Sequence, residues 1–301
     1  MGGSVIGSSY VAGRKVSQFG TKYEVAYQGY ACAGLGLGGQ QSREVGRERV
    51  TKEEISKRYL EGARVDKPLA PQRSAVVIGA WPEGNIGHAI YKTLNEGGFV
   101  VRTPTKRDVD VRSAGSLETY FNSREVDTLI LANGYTHLDW FEDYPTSEIY
   151  QVMSQTLTGS IVAAQKFVQA TMFSPHRKYL VFVGSMAYRA VLTASAPYCA
   201  AKAGLAHLVQ CLGWELTPKG YRVFGVHPSN VEGTPMTEET INGIMRYRGI
   251  SRVDAENYWG AINLMPDWLH PEDVAEAVYN LVSGRADYQS GSNIELRGGQ
   301  R

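Results

Sequence analysis

The chain has 301 residues, 43% of them apolar, with 31 basic against 30 acidic side chains. That length allows one or two domains with a substantial core, the balanced charge offers nucleic acid no basic surface, and no apolar run reaches the roughly 20 residues of a membrane helix. Three cysteines (Cys32, Cys199, Cys211) without metal-ligand spacing argue against a disulfide framework or a metal site and fit a reducing, cytoplasmic setting.

The first residues, MGGSVIGSS, have no basic stretch followed by an apolar one, so no secretory signal is expected, and Ile6 breaks the myristoylation pattern. Residues 1–46 hold 11 of the 33 glycines and no sustained apolar period. Such a segment cannot bury enough to offset its ordering entropy, and residues 1–72 are expected to form a largely flexible N-terminal extension. Its GLGLGG run (34–39) has no strand before it and no helix directly after, so it lacks the context of a phosphate loop. In TKEEISKRYLEGA, Thr51 and Glu54 make a capping box, and Ile55, Tyr59 and Leu60 give a short apolar face. That pattern predicts a helix over 51–63. DKPLAPQR then links to a domain over 73–301.

From residue 74 strand and helix alternate. SAVVIGA is a continuous apolar run, as in a strand covered on both faces. The loop after it, IGAWPEGNIGHAI, sets Gly79, Gly84, Ile86 and Gly87 where a helix opens. Glycines there let the backbone approach a pyrophosphate, and the helix N-terminus supplies free N–H groups. GHAIYKTLNEGG is that helix, and FVVR is the second strand. The second strand ends on Arg102, with Lys106 and Arg107 close behind and no acid to hold an adenosine 2′-hydroxyl. Cations at that point suit a 2′-phosphate and favour NADP(H), with NAD(H) the other candidate. SLETYFNSR predicts a helix, DTLILANG a third strand, residues 146–172 a long helix, KYLVFVGS a strand, and 197–216 a helix. YRVFGVHP predicts a strand, PEDVAEAVYNLVSG a helix and SNIEL a last strand. This alternation means βαβ units, and right-handed crossovers then give an α/β fold with a Rossmann-type, doubly wound parallel sheet.

SAPYCAAKAGL sets Tyr198 four residues before Lys202. On a helix these share a face, so phenol and ammonium can converge. A nearby cation favours phenolate, so Lys202 is expected to lower the Tyr198 pKa from the ordinary value of about 10 and fit it for general acid–base work. Ser185, at the carboxyl end of KYLVFVGS, lies where it can hydrogen-bond the same substrate oxygen.

These residues carry a resemblance. Residues 74–301 resemble the short-chain dehydrogenase/reductase family, and VGSMAYRAVLTASAPYCAAKAGL is similar to its active-site segment. The resemblance implies Tyr198 as catalytic acid/base, Lys202 on the nicotinamide ribose and Ser185 positioning a substrate carbonyl. LANG, with Asn133 and Gly134, resembles the family's turn after the central strand. DVRSAGSLETYF implies Asp110 and Val111 at the adenine. HPSNVEGTPMT implies that Pro228, Val231 and Thr234 hold the carboxamide. The expected activity is hydride transfer between an NADP(H) cofactor and a small-molecule alcohol or carbonyl, in a homodimer or homotetramer.

Several positions depart from that pattern. Gly79 and Gly87 are 8 apart, two more than in the usual TGxxxGxG loop. FVVR runs almost directly into the Asp110 segment, so a helix and a strand are abbreviated. Thr156 stands where a helix Asn usually completes the proton relay, and Pro228-Ser229 replaces a Pro-Gly pair. An enoyl-reductase-like role is disfavoured by the YxxxK spacing, and a halohydrin-dehalogenase-like role by Lys rather than Arg after the tyrosine. The alternative class is a non-catalytic dinucleotide-binding or scaffold protein working through its extension. Trp81, Tyr135, His137, Trp140 and Tyr188 are pocket candidates beside the carboxyl-end loops, whereas His227 reads as packed. Val152, Ile161, Val162, Phe167 and Met172 on one helix, and Leu205, Leu208, Val209 and Leu212 on another, exceed a single apolar stripe and point to a subunit contact.

Overall fold

The apolar run Ser74–Ile78 forms β1, and Ala75, Val76 and Val77 are fully buried because helices cover both faces of the strand. The structure is a computed structural model that describes residues 73–261 and 268–297. The expected extension and its helix over 51–63 lie outside the described residues.

After β1 come α1 (Ile86–Glu96), β2 (Val100–Arg102), α2 (Ala114–Asn122) and β3 (Thr128–Leu131). The expected long helix is α3 (Thr146–Val152) and α4 (Gly159–Thr171), joined through a π-helical segment, Met153–Thr158. Then follow β4 (Lys178–Val183), α5 (Ala196–Leu216), β5 (Tyr221–Pro228), α6 (Pro235–Arg248), α7 (Arg252–Gly260), α8 (Pro271–Val282) and β6 (Ser292–Leu296). Among the described residues six strands make one all-parallel sheet, ordered β2-β1-β3-β4-β5-β6. Strand order therefore reverses at β1 and β3, which opens a crevice at their carboxyl ends. A single helix, α2, separates β2 from β3, as the short spacing between FVVR and DVRS implies.

Two apolar layers hold the sheet. Ile90 and Leu94 of α1 and Val274 and Val278 of α8 pack on one face. Leu117 and Phe121 of α2, Phe167 of α4, and Leu205 and Val209 of α5 pack on the other. That second layer absorbs much of the surplus expected on α4 and α5. Phe167 is fully buried in it, and Val162, Leu208 and Leu212 pack partly buried against it, while Val152 of α3 is fully buried in a separate cluster with Tyr198 and Ala201. Ile161 and Met172 stay exposed, joined by Trp214 on α5.

Helices α6 and α7 were not expected from the sequence. Their inward side is mixed, with Thr237 and Thr240 beside Ile241 and Ile244, so no clean apolar period appears. Their caps are legible nonetheless. Thr234 accepts from the Thr237 N–H at 3.1 Å, Gly249 ends α6 with φ 65°, and Ser251 accepts from the Asp254 N–H at 3.2 Å. No helix among the described residues is long and apolar enough to cross a membrane.

Candidate active site

The glycine loop is built by close backbone approach. Gly79 has φ 91°, and a Cβ there would sit 2.7 Å from the backbone of Ala132 and Asn133, at the end of β3. A Cβ on Gly87 would run into the Gly79 carbonyl and lie 2.9 Å from Ala80 Cα. Gly84 has φ 82° and open space around it. Asn85 caps α1 by accepting from the His88 N–H at 2.8 Å. The two extra residues carry Trp81 across to the exit of β2, where its Nε1 donates to the Thr103 carbonyl at 3.2 Å. Arg102 is half-buried there, and its Nη1 is enclosed without a partner among the described residues.

Asp110 is engaged within its own turn. Its carboxylate accepts from Arg112 Nη2 at 2.7 Å and Nε at 3.0 Å, and the Arg112 guanidinium holds its pKa down at about 2. Val111 presses on Gly159, where a Cβ would come within 2.9 Å of it, so only glycine lets α4 lie this close. The π-helical segment just before Gly159 turns the Gln155 carbonyl toward Asn133, whose Nδ2 donates to it at 2.7 Å and to Ser160 Oγ at 3.0 Å. The Asn133 Oδ1 is left buried and unpartnered among the described residues.

A cavity of about 380 Å³ lies at the carboxyl ends of the strands. It brings together Ile86, Asn133, Gly134, Ser185, Tyr198, Lys202, Pro228, Val231 and Thr234. Gly79, Gly84, Gly87, Arg102, Asp110 and Val111 lie off it, along the crevice toward β2. Thr156 also lies off its lining. Its Oγ1 accepts from the Tyr135 N–H at 3.0 Å and donates to the Tyr135 carbonyl at 3.2 Å. That hydroxyl holds the β3 loop, and only one lone pair remains for a relay.

The Ser–Tyr–Lys set is held from behind. His227 on β5 is fully buried, stacks on Tyr188 at 4.4 Å, and shares a 2.8 Å hydrogen bond with Asn293 Oδ1. A Cβ on Gly184 would overlap the His227 ring, so Ser185 follows a position that only glycine can fill. Ser185 itself accepts from the Ala187 N–H at 3.2 Å. Lys202 is 3% exposed, and its Nζ donates to the Val183 carbonyl at 3.0 Å. Burial lowers its pKa from 10.5 to about 8. The Tyr198 phenol contacts Met236 Sδ at 3.7 Å, and Lys202 Nζ stands 5.6 Å from its ring centroid.

The pKa expectation is corrected here. Burial raises the Tyr198 phenol to about 12, and the Ser185 hydroxyl beside it offsets only part of that. The lysine, anchored on Val183, does not reverse the sign.

The aromatic pocket candidates are also corrected, since none of the five lines the cavity. Trp81 is spent on Thr103, and Tyr135 donates to Glu148 at 2.7 Å. His137 packs on Tyr144, Trp140 on Tyr247, and Tyr188 on His227. Besides Tyr198, the rings that do line it are Tyr247, Tyr258 and Trp259, all from α6 and α7.

A doubly wound α/β domain with a glycine cradle at its reversal point and a Ser–Tyr–Lys set beside it defines one structural class. Within that class, the chain belongs to the short-chain dehydrogenase/reductase family, and the family model described as enoyl-(acyl carrier protein) reductase matches residues 79–301. It is 29% identical over 149 residues to 2-(S)-hydroxypropyl-CoM dehydrogenase 3 of Xanthobacter autotrophicus, which covers 50% of this chain and 56% of that protein. It is 26% identical over 201 residues to (3R)-3-hydroxyacyl-CoA dehydrogenase of Canis lupus familiaris, covering 65% and 73%. A solved structure of an actinorhodin polyketide ketoreductase with NADPH superposes with a TM-score of 0.69 at 23% identity, over 76% of this chain and 97% of that one.

Proposed function

We propose that this chain is an NADP(H)-linked oxidoreductase that interconverts an alcohol and a carbonyl. The observation that carries the reading is the convergence of Ser185, Tyr198 and Lys202 with Asn133 and Gly134 on one cavity at the carboxyl ends of the strands. The residues present fit a dinucleotide. Gly79 and Gly87 let the loop fold tightly on its own backbone, Gly84 leaves open space at the N-terminal side of α1 where a pyrophosphate can approach, and Asn133 Oδ1 and Arg102 Nη1 are enclosed without partners among the described residues. Arg102, with Lys106 and Arg107 near it and no acid at the end of β2, supports NADP(H) over NAD(H).

When bound, the nicotinamide supplies or accepts the hydride. The chain's own residues handle the substrate oxygen. With its pKa at about 12, Tyr198 holds its proton at neutral pH and acts as the acid for carbonyl reduction. Ser185 Oγ orients the same oxygen. Lys202 is charged below about pH 8 and stabilises the phenolate left after proton transfer. The relatives named as hydroxypropyl-CoM and hydroxyacyl-CoA dehydrogenases support alcohol–carbonyl chemistry. The enoyl-reductase description of the family model supports a second reading, double-bond reduction, against which the YxxxK spacing stands. Exposed Ile161, Met172 and Trp214 support a homodimer or homotetramer through α4 and α5, and the free thiols Cys199 and Cys211 support a reducing cytoplasm.

Titration of NADPH and NADH by nicotinamide fluorescence, followed by panels of ketones, alcohols and 2-enoyl thioesters, tests the reading. Ketone-dependent NADPH oxidation is expected, lowered roughly 10²-fold in Tyr198→Phe with cofactor binding retained. Absence of binding by either cofactor would point to the scaffold alternative. Turnover of the enoyl thioesters alone would favour the second reading.

A further inference from the structure

The cavity runs from Tyr198 to a far wall made by α6 and α7. Leu138 and Ile244 line it there together with the rings of Tyr247, Tyr258 and Trp259. Among the described residues that line it, Lys202 is the only charged side chain, and its ammonium is already held by the Val183 carbonyl. Most polar side chains of the lining are also engaged. Thr234 and Thr237 bond each other at 2.8 Å, Thr240 donates to the Met236 carbonyl at 2.8 Å, and Asn230 Nδ2 donates to the Trp259 carbonyl at 2.5 Å. The hydrogen-bonding side-chain atoms of the lining left buried without partners are neutral: Asn133 Oδ1 at the cofactor end, and Ser229 Oγ and Trp259 Nε1. The nearby cations lie off the lining. Arg246 donates to the Leu138 carbonyl at 2.9 Å, and Arg248 stacks 4.0 Å from the Tyr258 ring centroid.

An ionised group drawn against the far wall would lose its water and find no charged side chain among the described residues lining it there. A neutral apolar group would gain its burial, and the rings add flat contact surface. We propose, resting on the alcohol–carbonyl reading, that the substrate is an uncharged, mainly apolar ketone or its alcohol, with its bulk packed against Tyr247, Tyr258 and Trp259. The reacting oxygen then faces Tyr198 and Ser185, and the remote end of the molecule carries no charge.

The test uses the full-length chain and three ligands of one shape: acetophenone, 4-acetylbenzoate and methyl 4-acetylbenzoate. The kcat/KM of each is measured with NADPH, and the Kd of each by saturation-transfer NMR, which needs no turnover. The neutral ketone and the ester are expected to exceed the carboxylate at least about tenfold in both. The ester controls for size. A carboxylate that binds or reacts equally well, or failure of all three to bind, overturns the inference. Tighter binding of the neutral pair without turnover leaves this inference standing and defeats the reaction reading instead. In Tyr258→Arg, a change at the partly exposed edge of the wall, the ratio should move toward the carboxylate by at least about tenfold. A folded Tyr258→Arg protein with an unchanged ratio would place the substrate elsewhere and overturn the inference.

Discussion

Replacing Lys202 with methionine should make the nucleotide-free protein more stable while abolishing its chemistry. The Lys202 side chain is 3% exposed and its pKa falls from 10.5 to about 8, with burial the sole cause. At about 1.4 kcal/mol for each tenfold in the proton equilibrium, keeping that ammonium charged in the folded state costs about 3 kcal/mol. The folded pKa lies below the unfolded one, so the unfolded chain binds more protons between about pH 8 and 10.5. Stability should therefore rise with pH across that window, and the cost is fully present below pH 8. Methionine removes the charge at similar length, but it strips the Val183 carbonyl of a 3.0 Å hydrogen bond, a loss of about 1–2 kcal/mol. The net gain at pH 7 is about 1–2 kcal/mol, or roughly 2–8 °C in Tm for a domain of this size. Chemical denaturation of both proteins at pH 7 and pH 10 measures it. The gap should shrink or change sign at pH 10, where the wild-type lysine is neutral, while kcat/KM of the variant stays at least about 10²-fold down. A variant less stable than wild type at pH 7, or a gap that does not change with pH, would refute the assignment of a buried, destabilising cation.

Four further outcomes are expected. Gly87→Ala places a methyl against the backbone of Gly79 and Ala80, which cannot swing aside, and should cost about 1–3 kcal/mol in a denaturation curve and weaken NADPH binding. Arg102→Ala should lower the ratio of NADPH to NADH affinity by roughly 10–100-fold, the worth of a charge-assisted hydrogen bond, with NADH itself little changed in a fluorescence titration. Light scattering at micromolar concentration should give the mass of a dimer or tetramer, and Trp214→Glu, on an 88% exposed position of α5, should shift it toward monomer. In the reductive direction, kcat/KM should decline as pH rises through about 8, because Lys202 loses the charge that supports the departing proton of Tyr198.

Strands β1, β3, β4 and β5 were legible because sheet strands covered on both faces are continuous apolar runs, and every residue of β3, β4 and β5 is buried. The lone helix between β2 and β3 was legible too, since the chain between FVVR and DTLILANG has room for one only. Ser185, Tyr198 and Lys202 were legible from spacing, because one strand end and one helical turn bring them to the same cavity. The far wall was not. Its inward hydroxyls, Thr237 and Thr240, interrupt the apolar period of α6, so the segment after β5 gave no helical pattern. Attention to aromatics beside the early carboxyl-end loops then selected rings that prove to be committed elsewhere, such as Tyr135 on Glu148. The π-helical segment before Gly159 had no sequence signal at all, although it sets the Gln155 carbonyl that holds Asn133.

The sign of the Tyr198 pKa shows why spacing alone could not settle the chemistry. Raising the phenol from 10.0 to about 12 corresponds to about 3 kcal/mol against the phenolate. A full positive charge 5.6 Å from the ring centroid, at the effective dielectric of about 20 suited to protein sites, is worth about 3 kcal/mol to a negative charge centred on the ring. The two effects are of one size, so the outcome depends on details that a four-residue spacing does not carry. One is where the ammonium points, and here it points at the Val183 carbonyl. Another is whether it is charged, and its own burial brings its pKa to about 8. A Tyr198 that keeps its proton and a Lys202 that can lose one form a pair poised to donate to a carbonyl oxygen rather than to sit as phenolate and ammonium. Any group that turns Lys202 away from Val183 toward the phenol, or brings negative charge beside it, would move both values back toward the ion pair. Such a group would therefore decide whether Tyr198 stands ready as an acid or as a base.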